Sequence, residues 1–179
     1  LRYQKEPCHE NFQAFARKQR YVFYRELIQA YDAAGVLIAH QLDDHLETYL
    51  IQRERNAIPD FYGLQDHITI FGCLVVRPLL AYTKAQLEAY CHHHHVPYYL
   101  DESNLSDQYT RNRIRHTYID AMGEADKKAL CAEIDQENQR LQRLRQMAAA
   151  FLTDWTHACD SLFTQPMEVQ HIILFEWIH

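Results

Sequence analysis

The spacing of apolar positions changes several times along the chain, and each change predicts an element. Over residues 11–31, Phe12, Phe15, Val22, Ile28 and Tyr31 stand among basic and polar residues at roughly helical spacing, which predicts a helix ended near Gly35. Residues 36–39, a short apolar run behind that glycine, read as a buried strand and lead without a linker into a second helical stretch. Residues 56–71 hold Pro59 and Gly63 and read as loop, with a short strand over residues 67–71. The segment CLVVRPLL predicts a strand stopped by Pro78, and Thr83 stands where the N-cap of a helix reaching about Cys91 belongs. Two successive strand-then-helix units predict the α/β class, with a Rossmann-like doubly wound parallel sheet.

The pattern shifts after Met122. Beyond Gly123 neither glycine nor proline recurs until Pro166, while Leu141, Leu144, Ala148, Phe151 and Trp155 return at three- and four-residue steps. This predicts one long amphipathic helix whose stripe packs into a core or against a neighbouring helix. The boundary between an α/β domain and a helical subdomain is therefore expected near residue 120, giving segments 1–120 and 121–179.

With 179 residues, 47% hydrophobic and 23% charged, the chain is an ordinary globular sequence, neither disordered nor fibrous. A net charge of −6 and pI near 6.0 exclude a simple basic nucleic-acid module, so any RNA must meet a local patch. Five cysteines without a C-x-x-C pair give neither a disulfide framework nor a zinc ribbon and favour a reducing, cytoplasmic setting. No apolar run reaches the roughly 18 residues that span a bilayer, so no membrane partner is expected. The opening LRYQKEPCHENFQ lacks an initiator Met and reads as entering a domain part-way, so the chain is expected to be a fragment.

The chemistry concentrates in LIAHQLDDHLETYLIQ, residues 37–52. On a helical wheel of about 100° per residue started at His40, Asp43 falls at about −60°, Asp44 at about +40° and Glu47 at about −20°. Three carboxylates and an imidazole on one arc are costly unless a cation, an ammonium group or a metal neutralises them. The arc follows the end of a candidate parallel strand, where open α/β sheets bind ligands. A solvated acidic first turn that complements the helix dipole is the plain alternative.

A second constellation is LDESNLSDQYTRNRIRHTYI, residues 100–119. Asp101, Ser103, Asn104, Ser106 and Asp107 are turn and cap formers, predicting a polar loop into a helix near Tyr109. Arg111 and Arg115, four apart, share one helical face while Arg113 points elsewhere, a pair suited to phosphate or carboxylate. The run CHHHH at residues 91–95 reads as a helix end rather than a metal site, because consecutive residues diverge on a helix. Arg17, Lys18, Arg20 and Arg25 read as a solvated face rather than an RNA patch.

AHQLDDHLETYL, the upstream FARKQRYVF, VVRPLL and DESNLSDQYTRNRIR, in this order and spacing, closely resemble the tRNA(Ile)-lysidine synthetases of the PP-loop ATP pyrophosphatase superfamily, over about residues 11–119. The combination of H-x-x-D-D-x-x-E-T with D-x-S-N and R-N-x-x-R is specific to that family. The resemblance implies an enzyme that uses ATP, with Mg²⁺, to activate carbon 2 of the wobble cytidine of tRNA(Ile) as an adenylate, which L-lysine then attacks. It implies Asp44, Glu47 and Arg111 as catalytic residues, with Asp44 and Glu47 facing lysine and Arg111 steadying phosphate charge. His40, Asp43, Thr48, Asn112 and Arg115 would bind substrate or ATP, no residue is assigned to a metal, and a homodimer stays open.

One departure bears on activity. The family's Ser-Gly-Gly-x-Asp-Ser phosphate loop has no counterpart among Gly35, Gly63, Gly72 and Gly123, none of which are adjacent. Residues 1–120 are therefore expected to be the C-terminal half of a PP-loop catalytic domain, and the chain as given not to turn over ATP. Two other classes stand beside the ligase: a non-catalytic remnant that binds tRNA or another protein, and a histidine–carboxylate metal site built from His40, Asp43, Asp44 and Glu47.

Overall fold

A computed structural model describes residues 12–99, 110–154 and 159–178. They form two compact units, residues 12–45 with 65–99, and residues 46–64 with 110–154 and 159–178. Together these are a mixed α/β structure with a small three-stranded sheet and many helices.

In the first unit, α1 (Phe12–Tyr31) ends because Asp32 turns left-handed, at φ 50°, and the Ala33 N–H bonds back to the Ile28 carbonyl at 3.0 Å. The helix therefore stops short of Gly35, which has a different task. A methyl group there would lie 2.7 Å from the Leu74 carbonyl oxygen, so only a hydrogen lets the chain run into β1 (Val36–Leu37) beside its neighbour.

That neighbour is β3 (Cys73–Val76), and the strand order is β1-β3-β2 with β2 at His67–Ile70. β1 and β3 are parallel, Val36 opposite Val75 and Leu37 opposite Val76, whereas β2 and β3 are antiparallel. The sheet described is thus mixed, and the all-parallel expectation holds for β1 and β3 alone. The strand expected over residues 67–71 stops at Ile70 because Phe71 and Gly72 form the hairpin turn, both at positive φ, 50° and 77°. This is the primed two-residue geometry that matches strand twist. Cys73 and Val75 are fully buried, Tyr21 of α1 nearly so, and the Tyr21 ring meets Phe71 at 5.6 Å.

After β3 comes α3 (Lys84–His93), opened as expected by Thr83. The Gln86 N–H donates to the Thr83 hydroxyl and the Thr83 N–H to the Gln86 side chain, a reciprocal cap. The helix outlasts its expected end at Cys91 and closes with His95 left-handed, the Val96 N–H bonding back to the Cys91 carbonyl at 2.9 Å.

α2 (Leu42–Glu54) gives its first turn to the first unit and the rest to the second. The second unit continues with α4 (Thr110–Ile114), a π-helical stretch Arg115–Ile119, α5 (Glu124–Asp154), α6 (Cys159–Phe163) and α7 (Met167–Ile178). The stripe on α5 is core. Leu141 and Ala148 are buried with Leu162, Val169, Ile172 and Ile173, and Leu144 and Phe151 pack on the margin. Each fully buried aliphatic side chain of this kind stabilises by about 1.5–3 kcal/mol. The loop after α2 is pinned by amides: the Tyr62 N–H donates to Asn138 at 2.7 Å, Asn138 returns a bond to the Tyr62 carbonyl at 3.1 Å, and the Gly63 N–H donates to Gln52 at 2.7 Å. Trp155 and the turn formers Asp101, Ser103, Asn104, Ser106 and Asp107 lie outside the described residues.

Candidate functional site

α2 begins one residue after Gln41, so His40 precedes the helix instead of sharing its face. The wheel position assigned to His40 is corrected accordingly. Gln41 is the cap: its side chain accepts from the Asp43 N–H at 3.1 Å, and Asp44 reaches back to the Gln41 N–H at 3.0 Å. Asp43 is 5% exposed, and its carboxylate accepts from the Lys84 N–H, in the first turn of α3, at 3.2 Å. Orphan amides at a helix start favour an anion, so burial of Asp43 is compensated. His40 accepts at Nδ1 from the Arg77 Nε–H at 3.1 Å. Of the two carboxylates that the first turn of α2 gives to this unit, Asp44 is the partly exposed one.

In the second unit, Glu47 is fully buried and bridges two guanidiniums. Arg111 Nε donates to one carboxylate oxygen at 2.9 Å and Arg115 Nε to the other at 2.5 Å, while Arg111 Nη2 reaches the Thr48 hydroxyl at 3.2 Å. Four-residue spacing puts the two arginines on one face, and Arg113 turns away to Glu54 at 2.6 Å, both as the spacing predicts. Asn112 is buried between these arginines in sequence. Directly after α4 the helix widens: the Asp120 N–H bonds to the Arg115 carbonyl at 3.0 Å, five residues back, a π turn of the kind that recurs at functional sites.

Two guanidiniums converge on one carboxylate, and Arg111 remains 42% exposed at its side chain against 18% for Arg115, so the more accessible guanidinium is that of Arg111. Such a group attracts phosphate or carboxylate oxygens and is held rigid by the buried Glu47. The neutralising cation that the acidic arc demands is therefore, at Glu47, a pair of arginines. Next to Thr48, Tyr49 is 1% exposed and donates to Glu133 at 2.5 Å; burial, then the hydrogen bond to Glu133 and that carboxylate's charge, push its pKa well above the ordinary phenol value.

Among the described residues no group of three His, Cys, Asp or Glu is placed to hold a metal ion. The histidine run instead packs against tyrosines, His92 Nε2 lying 3.2 Å from the Tyr98 hydroxyl and the His94 ring 4.2 Å from that of Tyr90. The sequence reading overlooked Arg77. Its signal was there, a charged residue inside the apolar run CLVVRPLL. Glu133 and Glu54 carried no signal, being two acidic residues among many.

A PP-loop domain model matches residues 2–122. The chain belongs to the PP-loop family. Within this family it is 33% identical over 143 residues to the tRNA(Ile)-lysidine synthase of Mycoplasma mycoides, covering 80% of this chain and 35% of that protein. It is 42% identical over 106 residues to the tRNA(Ile)-lysidine synthase of Ureaplasma parvum, 59% of this chain and 32% of the relative. The Bacillus subtilis tRNA(Ile)-lysidine synthase is 36% identical over 110 residues, 61% of this chain and 23% of that protein. The chain thus spans about a third or less of the length of these curated relatives, and the resemblance read from its motifs holds.

Proposed function

We propose that this PP-loop chain is part of an ATP-dependent ligase that joins L-lysine to carbon 2 of the wobble cytidine of tRNA(Ile). The observation that carries this reading is the Arg111–Glu47–Arg115 bridge, formed between the H-x-x-D-D-x-x-E-T and R-N-x-x-R motifs of a family member. ATP, with Mg²⁺, would supply the adenylate and hence a good leaving group. The residues of this chain bind and orient. Arg111, with its half-exposed guanidinium, steadies phosphate charge, Thr48 and Arg115 fix Arg111 and Glu47, and Asn112 supports that helix from inside. Asp44 faces the lysine ammonium and takes its proton as the amine attacks.

This reading carries with it the doubly wound PP-loop sheet, to which residues 1–120 contribute the C-terminal half, a helical subdomain over residues 121–179, and a cytoplasmic setting. The test is ATP-dependent incorporation of labelled lysine into tRNA(Ile) by the intact protein. Lysidine formation that is lost in Arg111→Ala supports the assignment. Near-normal turnover in that variant removes Arg111 from the mechanism, and no incorporation by the intact, folded parent refutes the ligase. In that case retained tRNA binding would favour the non-catalytic remnant.

A further inference from the structure

β1 and β3 run parallel, so their C-terminal ends fall on one edge of the sheet, where Arg77 follows β3 directly and His40 follows β1 by three residues. The Ile38 N–H extends the ladder by donating to the Val76 carbonyl at 2.9 Å, and the next residue on β3 is Arg77. Arg77 is 6% exposed, and no carboxylate pairs with it among the described residues. Its backbone N–H donates to the Asp66 carbonyl at 2.7 Å, its Nη1 donates to the Gln65 carbonyl, and its Nε donates to Nδ1 of His40 at 3.1 Å. Burial pushes the Arg77 pKa down from the ordinary guanidinium value, yet a guanidinium still carries the Nε proton throughout the physiological range.

We infer that Arg77 is a positioning residue that fixes His40 as the neutral Nε2–H tautomer. Since Arg77 Nε is a donor only, Nδ1 of His40 has to offer a lone pair, and the ring proton sits on Nε2. A doubly protonated ring would set N–H against N–H at 3.1 Å and place a second positive charge beside a buried one. The ring proton of His40 is therefore carried at Nε2, and His40 is no base at Nδ1. What His40 meets in the loaded enzyme rests on the proposed ligase reading; the tautomer does not.

The measurement is nitrogen-15 NMR of the protein labelled at arginine and histidine, reading the scalar coupling across the Nε–H to Nδ1 hydrogen bond. The expected result is a resolved coupling with Nδ1 unprotonated. Arg77→Met abolishes the coupling and shifts the Nδ1 resonance, while Arg77→Lys, which keeps a donor, leaves Nδ1 unprotonated. A protonated Nδ1, or no coupling in the parent, overturns the inference, and this parent measurement does not depend on either variant folding.

Discussion

Replacing Glu47 by Gln isolates what the buried carboxylate does, because the volume is kept and only the charge and one acceptor change. Glu47 has no exposed surface, and its two oxygens each accept from an arginine, at 2.9 and 2.5 Å. Removing one partner of a buried ion pair costs about 3–5 kcal/mol, since the remaining charge is left unneutralised. Here Arg111 is 42% exposed at its side chain, so water screens part of the orphaned charge, and the lower end, about 3 kcal/mol, applies. For a chain of 150–250 residues each kcal/mol moves Tm by about 2–4 °C, so Glu47→Gln is expected to lower Tm by about 6–12 °C. With ordinary stability of about 5–15 kcal/mol the variant stays folded at room temperature. Its loss of lysidine formation in the intact protein would then report chemistry rather than unfolding. The assay is thermal melting by circular dichroism at matched pH and salt. A midpoint within about 2 °C of the parent refutes the bridge as a stabilising element. A second reading comes from Arg115→Met alone and combined with Glu47→Gln: groups sharing one network couple by about 0.5 kcal/mol or more, so effects that add within about 0.3 kcal/mol contradict the shared carboxylate.

Four further outcomes are expected. Gly35→Ala drives a methyl group to 2.7 Å from the Leu74 carbonyl and forces β1 away from β3, an overpacking cost of about 1–3 kcal/mol visible in urea unfolding; an unchanged midpoint would show that the strands do not approach as described. Tyr49, whose pKa is raised in the folded protein, contributes stability that is complete below the unfolded phenol value near 10 and is lost as pH rises through the higher folded value. Stability should therefore fall above about pH 10 less steeply in Tyr49→Phe than in the parent, and identical slopes would remove Tyr49 as the cause. Arg113→Ala breaks an exposed pair with Glu54 and should leave both the melting midpoint and lysidine formation unmoved; a loss of activity equal to that of Arg111→Ala would mean the wrong arginines have been assigned to the site. Cys131, its pKa raised first by burial and then by Asp135, should react more slowly with a disulfide reagent in the native than in the unfolded protein, and equal rates would contradict its burial.

Periodicity gave the elements better than it gave their ends. The α1 helix, the two strands flanking the Phe71–Gly72 turn, the Thr83 cap and the long α5 were all legible, because each rests on a local rule: a 3.6-residue stripe, a β-rich run, a hydroxyl that caps. Helix ends were less so. α1, α2 and α3 close on Asp32, Asn56 and His95 in the left-handed conformation, each followed by an N–H bonded five residues back. A glycine is the usual signal for that turn, so the sequence pointed to Gly35, whose absent side chain serves strand packing instead.

The sequence by itself determined the family motifs, the Thr83 cap and the shared face of Arg111 and Arg115, all matters of a few neighbouring residues. Tertiary structure decided which charge meets which. Glu47 finds Arg111 and Arg115 across 64 and 68 residues, Tyr49 finds Glu133 across 84, and His40 finds Arg77 across 37. Nothing in local spacing selects one arginine or glutamate among many over such separations. The selection is made by burial: once Glu47, Tyr49 and Arg77 lose water, each polar group must be matched by the partner the packing brings within reach, and only the folded chain fixes which partner that is.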